Sequence, residues 1–141
     1  MAPRIVLDTN VLVSALRSRN GASFRLLSII DTEKFELAIS VPLVLEYEAS
    51  AKKQSRETGL SSADIDSILN YICSIAKHYR IHYLWRPFLR DPKDDMVLEL
   101  AVVSNAKYIV TFNTADFKGI EKFGLQVIKP RDFLKEIGEI L

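Results

Sequence analysis

Residues 4–13 read Arg-Ile-Val-Leu-Asp-Thr-Asn-Val-Leu-Val, and the order of residue types in this stretch sets the reading of the chain. Ile5, Val6 and Leu7 form a short apolar run with no polar alternation, the pattern of a strand buried on both faces. Asp8 puts a carboxylate at its end. From Asn10 to Arg19 the apolar residues Val11, Leu12, Ala15 and Leu16 fall on one helical face, and Asn20-Gly21 punctuates the helix. A buried strand that runs through an acid into a helix is the opening of a strand–helix–strand unit.

The pattern continues outward from there. Ala22 to Ile30 reads as helix and Phe35 to Ser40 as the next strand. Pro42 suits the first turn of a helix reaching about Lys53. Gln54 to Gly59 is a polar turn region. Ser61-Ser62-Ala63-Asp64 resembles a capping box with Asp in place of Glu. The helix it opens runs to about His78, with Ile65, Ile68, Leu69, Ile72, Ile75 and Ala76 at helical spacing. Arg80 to Leu84 reads as strand, Trp85 to Lys93 as a Pro-containing loop and Asp94 to Ser104 as helix. Strands at Tyr108 to Phe112 and Leu125 to Ile128 follow, and Pro130 opens a last helix. Alternating strands and helices predict an α/β fold, with a mostly parallel central sheet flanked by helices on both faces.

With 141 residues, the chain suits one domain, 1–141, with a core that needs no staples. Cys73 is the only cysteine, so no internal disulfide forms. The net charge of +1 excludes a broadly basic nucleic-acid coat, so any nucleic acid must be held by local patches. The apolar start is broken by Asp8 and does not read as a secretory signal. No apolar run approaches the roughly 20 residues that span a bilayer. The expectation is a soluble cytoplasmic protein without a membrane partner.

In open parallel sheets, ligands gather outside the carboxyl ends of the strands. Asp8 and Asn113 fall at or just past strand ends, and Glu46 lies one turn into the helix after the second strand. Asp94 and Asp95 open a helix. Carboxylates brought to one edge repel one another unless cations sit between them. An oxygen-rich set with few histidines favours Mg²⁺ or Mn²⁺ over Zn²⁺. Each residue also has a purely structural reading. Asp8 reads equally as a helix cap, Glu46 as a solvated helix residue, Asp94 and Asp95 as helix-terminal acids, and Asn113 and Asp116 as turn residues.

Five pieces in order resemble the PIN-domain ribonucleases, particularly the toxin-like members of prokaryotic toxin–antitoxin systems. They are IVLDTNVLV at Ile5 to Val13, ISVPLVLEYE at Ile39 to Glu48, DPKDDMVLELA at Asp91 to Ala101, YIVTFNTADF at Tyr108 to Phe117 and VIKPRDFL at Val127 to Leu134. The resemblance implies that Asp8 and Glu46 are the first two metal-binding acids. Asp94 best matches the third, with Asp95 as its rival. Asn113 and Asp116 match a less regular fourth position, and Thr9 and Asn10 complete the first motif. It further implies phosphodiester hydrolysis in RNA with one or two Mg²⁺ or Mn²⁺ ions, a homodimer, and an antitoxin protein that covers the site. Arg86, Arg90, Lys52 and Lys53 are candidate phosphate contacts, with Trp85 and Phe88 as stacking surfaces. The alternatives are a catalytically inactive PIN-like module that binds RNA or protein, and a phosphatase that also opens on a strand-end Asp. The second is disfavoured because Asp8-Thr9-Asn10 lacks the DxD pattern and Thr111 follows, rather than precedes, the acidic pair.

Overall fold

The computed structural model describes residues 2–81 and 88–141. The strands are β1 (Arg4–Leu7), β2 (Glu36–Ile39), β3 (Lys77–His78), β4 (Tyr108–Val110) and β5 (Gln126–Ile128). The helices are α1 (Thr9–Arg17), α2 (Ala22–Ser28), α3 (Val41–Lys53), α4 (Ser55–Thr58), α5 (Ser62–Ile75), α6 (Pro92–Ser104) and α7 (Pro130–Glu136). Two 3-10 turns, Thr114–Phe117 and Ile120–Phe123, link β4 to β5.

Every strand pair in the sheet is parallel, and the order is β3-β2-β1-β4-β5. Successive side chains of a strand point to opposite faces. Ile5, Val6 and Leu7 are nonetheless all fully buried, so both faces of β1 are covered. Helix α6 packs on β1, β2 and β4, while α1 packs on α2 and α3, and α3 on α5. The α/β sheet flanked by helices is therefore the one expected from the alternation of apolar runs.

Local chemistry explains the element ends. Ser61 and Asp64 form the capping box of α5, each backbone N–H bonding the other's side chain at 3.0 Å. Ser40 caps α3, with Pro42 in its first turn. Several boundaries depart from the sequence reading. Helix α6 starts at Pro92, not Asp94, because Asp91 accepts the Lys93 N–H and Pro92 needs no donor at the first helical position. The third strand is two residues at Lys77–His78, where the helical tail was expected. Ala76 turns extended and ends α5, and Tyr79 N–H then bonds Ile39 O at 2.9 Å. Arg80 and Ile81 carry no strand, and the rest of the expected segment, His82 to Leu84, lies outside the described residues. The polar stretch Gln54 to Gly59 holds the one-turn helix α4. Among the described residues, no helix is long and apolar enough to cross a membrane.

Candidate active site

The order β3-β2-β1-β4-β5 reverses direction between β1 and β4. At such a switch point the loops leaving neighbouring strands part to opposite sides and open a crevice at the carboxyl ends. Pairing of Leu7 with Val110 brings the next residues, Asp8 and Thr111, side by side at the carboxyl end of these two strands. The Asp8 backbone N–H bonds Val110 O at 2.9 Å, fixing the position.

Asp8 is buried and doubly bonded. Its Oδ2 accepts the Thr111 hydroxyl at 2.7 Å, and its Oδ1 accepts the Thr9 N–H at 2.8 Å as the cap of α1. The cap reading of Asp8 therefore holds, and its second oxygen is held at the end of β4. Thr111 Oγ1 in turn accepts the Asn113 N–H at 3.0 Å and faces Asn10 Nδ2 at 3.4 Å. Asn10 Oδ1 accepts the Phe112 N–H at 3.4 Å. Thr9 contributes its backbone to Asp8, and Asn10 ties α1 to the end of β4.

Burial raises the Asp8 carboxyl above its ordinary range against the pull of those two hydrogen bonds, and the charges of Asp116 and Asp91 raise it further. Asp94 is pushed up to about 7, first by burial and then by Asp8, Asp91, Asp116 and Asp95. Asp8, Asp91, Asp94 and Asp116 therefore share one electrostatic field although they come from β1, the start of α6 and the turn after β4. Asn113 and Asp116 are exposed beside it in the β4–β5 connection.

The two rivals on α6 differ in what they touch. Asp95 is buried, and its Oδ1 accepts the Leu89 N–H at 2.8 Å, so it holds the chain entering the helix. Asp94 has its carboxyl among the other acids. Glu46 comes from α3 and meets the start of α6 through Lys93. Its Oε1 accepts the Ser50 hydroxyl at 3.0 Å and pairs with Lys93 Nζ at 3.4 Å. The neighbouring Tyr47 is buried under the strand and donates its hydroxyl to Leu7 O at 2.5 Å, which anchors α3 beneath the site. Among the described residues, no three acidic, histidine or cysteine side chains gather closely enough to enclose an ion by themselves. Hard oxygen donors that repel one another suit Mg²⁺ or Mn²⁺ with water completing the shell.

Of the cations, Arg90 is exposed just before the Asp91 cap. Lys52 is held between Glu48 at 3.0 Å and Asp66 at 2.8 Å. Lys52 and Lys53 end α3, and at 1.5 Å of rise per residue they lie about 10 Å along the axis from Glu46. Arg86 and Trp85 lie outside the described residues. Phe88 packs edge-on against Phe123 at 5.3 Å, with Lys122 over its ring at 4.4 Å. Two participants were not singled out in the sequence, Thr111 and Asp91. Asp91 carried a signal, an Asp before Pro at a helix start; Thr111 needs the β1–β4 pairing to be known.

A family model for the PIN domain matches residues 4–115. The chain belongs to the PIN-domain family. The matched span runs from β1 into the first 3-10 turn and includes Asp8, Glu46, Asp94 and Asn113, with Asp116 just beyond it. Among solved structures, this PIN chain is similar to one described as VapBC2 from Rickettsia felis bound to a DNA fragment from their promoter. The TM-score is 0.62 at 16% identity, covering 89% of this chain and 98% of that one, a likeness of fold. Comparison with curated proteins found no match.

Proposed function

We propose that this PIN-domain chain is a metal-dependent endoribonuclease and the toxin of a toxin–antitoxin pair. One observation carries the reading: Asp8, bonded to Thr111 at 2.7 Å, stands at the sheet's switch point within the field of Asp91, Asp94 and Asp116. Raised carboxyls that converge in a crevice mark a functional site more than a structural one.

In this reading Asp8, Glu46 and Asp94 hold Mg²⁺ or Mn²⁺, partly through water, and Asn113 and Asp116 supply the fourth position. Asp95 is assigned to the loop it anchors rather than to the ion. When bound, the ion supplies a water acidic enough to attack phosphorus near neutral pH and neutralises charge on the leaving oxygen. Thr111 and Thr9 fix the orientation of Asp8, and Asn10 fixes the Phe112 backbone at the rim. Arg90, exposed just before the Asp91 cap, is the candidate phosphate contact nearest in sequence to Asp94 among the described residues. An antitoxin protein that covers this edge belongs to the same reading, as does a homodimer. Val41 and Leu45, exposed one turn apart on α3, offer the dimer an apolar face.

The test incubates the purified protein with mixed RNAs and Mg²⁺ or Mn²⁺, beside Asp8→Asn and an EDTA control. Cleavage lost in both controls is the expected result. Cleavage unchanged by either would refute the metal site, and RNA binding without cleavage would favour the inactive module.

A further inference from the structure

Glu46 and Lys93 link α3 to α6 at the edge of the acidic site. Lys93 Nζ lies 3.4 Å from Glu46 Oε1, the oxygen that also accepts the Ser50 hydroxyl at 3.0 Å. The Glu46 side chain is only 17% exposed, whereas that of Lys93 is 67% exposed. Lys93 directly precedes Asp94, so the ammonium and the Asp94 carboxylate come from adjacent residues of the first turn of α6. The second acid is therefore already partnered by a cation of the chain itself.

We propose that Lys93 is a positioning residue for Glu46, an internal counter-ion that a divalent cation displaces when it enters the site. The inference rests on the metal-dependent reading above. An ion bound by Glu46 and Asp94 would repel an ammonium in its present place. The lysine stem is flexible and its head is mostly in water, so it can leave at small cost. Before the ion arrives, the pair keeps Glu46 at the rim and away from the other acids. Ser50 then steadies the Glu46 carboxylate through the exchange, because its bond runs within α3 and does not depend on Lys93. The pair thus lowers cation affinity and makes it depend on ionic strength.

The experiment measures Mn²⁺ binding to the full chain from the loss of the electron-paramagnetic signal of free Mn²⁺. It compares the native protein with Lys93→Met, Lys93→Arg, Glu46→Gln, the Glu46→Gln/Lys93→Met pair and Asp8→Asn. Lys93→Met is expected to bind Mn²⁺ roughly fivefold more tightly at low salt, because the ion no longer has to break a pair of unit charges at about 4 Å in water. The gain should shrink with added salt, should be absent in Lys93→Arg, and should vanish when Glu46 is Gln. Unchanged or weaker binding by Lys93→Met, in a protein whose binding falls with Asp8→Asn, overturns the role of Lys93 and leaves the metal site standing. No Mn²⁺ binding by any of these proteins overturns both.

Discussion

The Thr111 hydroxyl donates to Asp8 Oδ2 at 2.7 Å across 103 residues of sequence, joining the ends of two neighbouring parallel strands. Thr111 is fully buried, and its Oγ1 also accepts the Asn113 N–H. Thr111→Val keeps the shape and removes these bonds together with the longer one from Asn10 Nδ2, which should cost about 1–2 kcal/mol in chemical unfolding. RNA cleavage per folded molecule should fall about tenfold or more, while Thr111→Ser, which keeps the hydroxyl, should restore most of it.

Asp94 predicts a pH dependence with a definite sign. Its carboxyl is held up at about 7 in the folded chain against an ordinary 3.8. Between those values the folded state binds the extra proton, so Asp94's contribution to metal-free stability is fully present below about pH 4 and is lost as pH rises through 7. Allowing for solvent screening, the loss is about 1 kcal/mol. Thermal melts from pH 4 to 8 in EDTA should show this slope, and Asp94→Asn should flatten it and melt higher at pH 8. Mn²⁺ at pH 8 should stabilise the native protein more than the variant.

Asp95 and Asp94 should fail in opposite ways. Asp95→Ala leaves the buried Leu89 N–H without its acceptor and should cost about 2–3 kcal/mol, since the lost bond is to a charged group. The molecules that remain folded should still cleave RNA. Asp94→Ala should fold at least as stably at pH 8 and should not cleave. Urea unfolding together with activity normalised to folded protein separates the two.

Tyr47→Phe deletes the hydroxyl that bonds Leu7 O beneath the site. The buried carbonyl loses that partner, and the expected cost is about 1–2 kcal/mol, read as a lower urea midpoint with an unchanged slope. The Mn²⁺ affinity of the folded protein should change little.

How far the sequence foretold this arrangement follows from the range of the interactions involved. The run Ile5 to Leu7 announced a strand buried on both faces, and the acid after it announced the strand end, because strand type and strand end are local properties. The capping box of α5 was equally legible. Thr111 was not, because its role exists only where β4 lies beside β1. Spacing put Asp94 ahead of Asp95 without excluding Asp95, since α6 is apolar around most of its surface; Val97, Leu98, Leu100 and Ala101 are all buried, and no polar face marks the outside. In the structure the Asp95 carboxylate holds the Leu89 N–H. The third strand was misplaced because two residues leave almost no pattern, and Lys77 and His78 are both exposed.

The central claim is that a divalent cation sits at the switch point between β1 and β4. Anomalous diffraction from crystals soaked in Mn²⁺ tests it most directly. The account predicts a Mn²⁺ peak within direct or one-water reach of Asp8 and Asp94, absent in crystals of Asp8→Asn. Mn²⁺-dependent RNA cleavage by a protein whose saturated crystals place the ion elsewhere would contradict it.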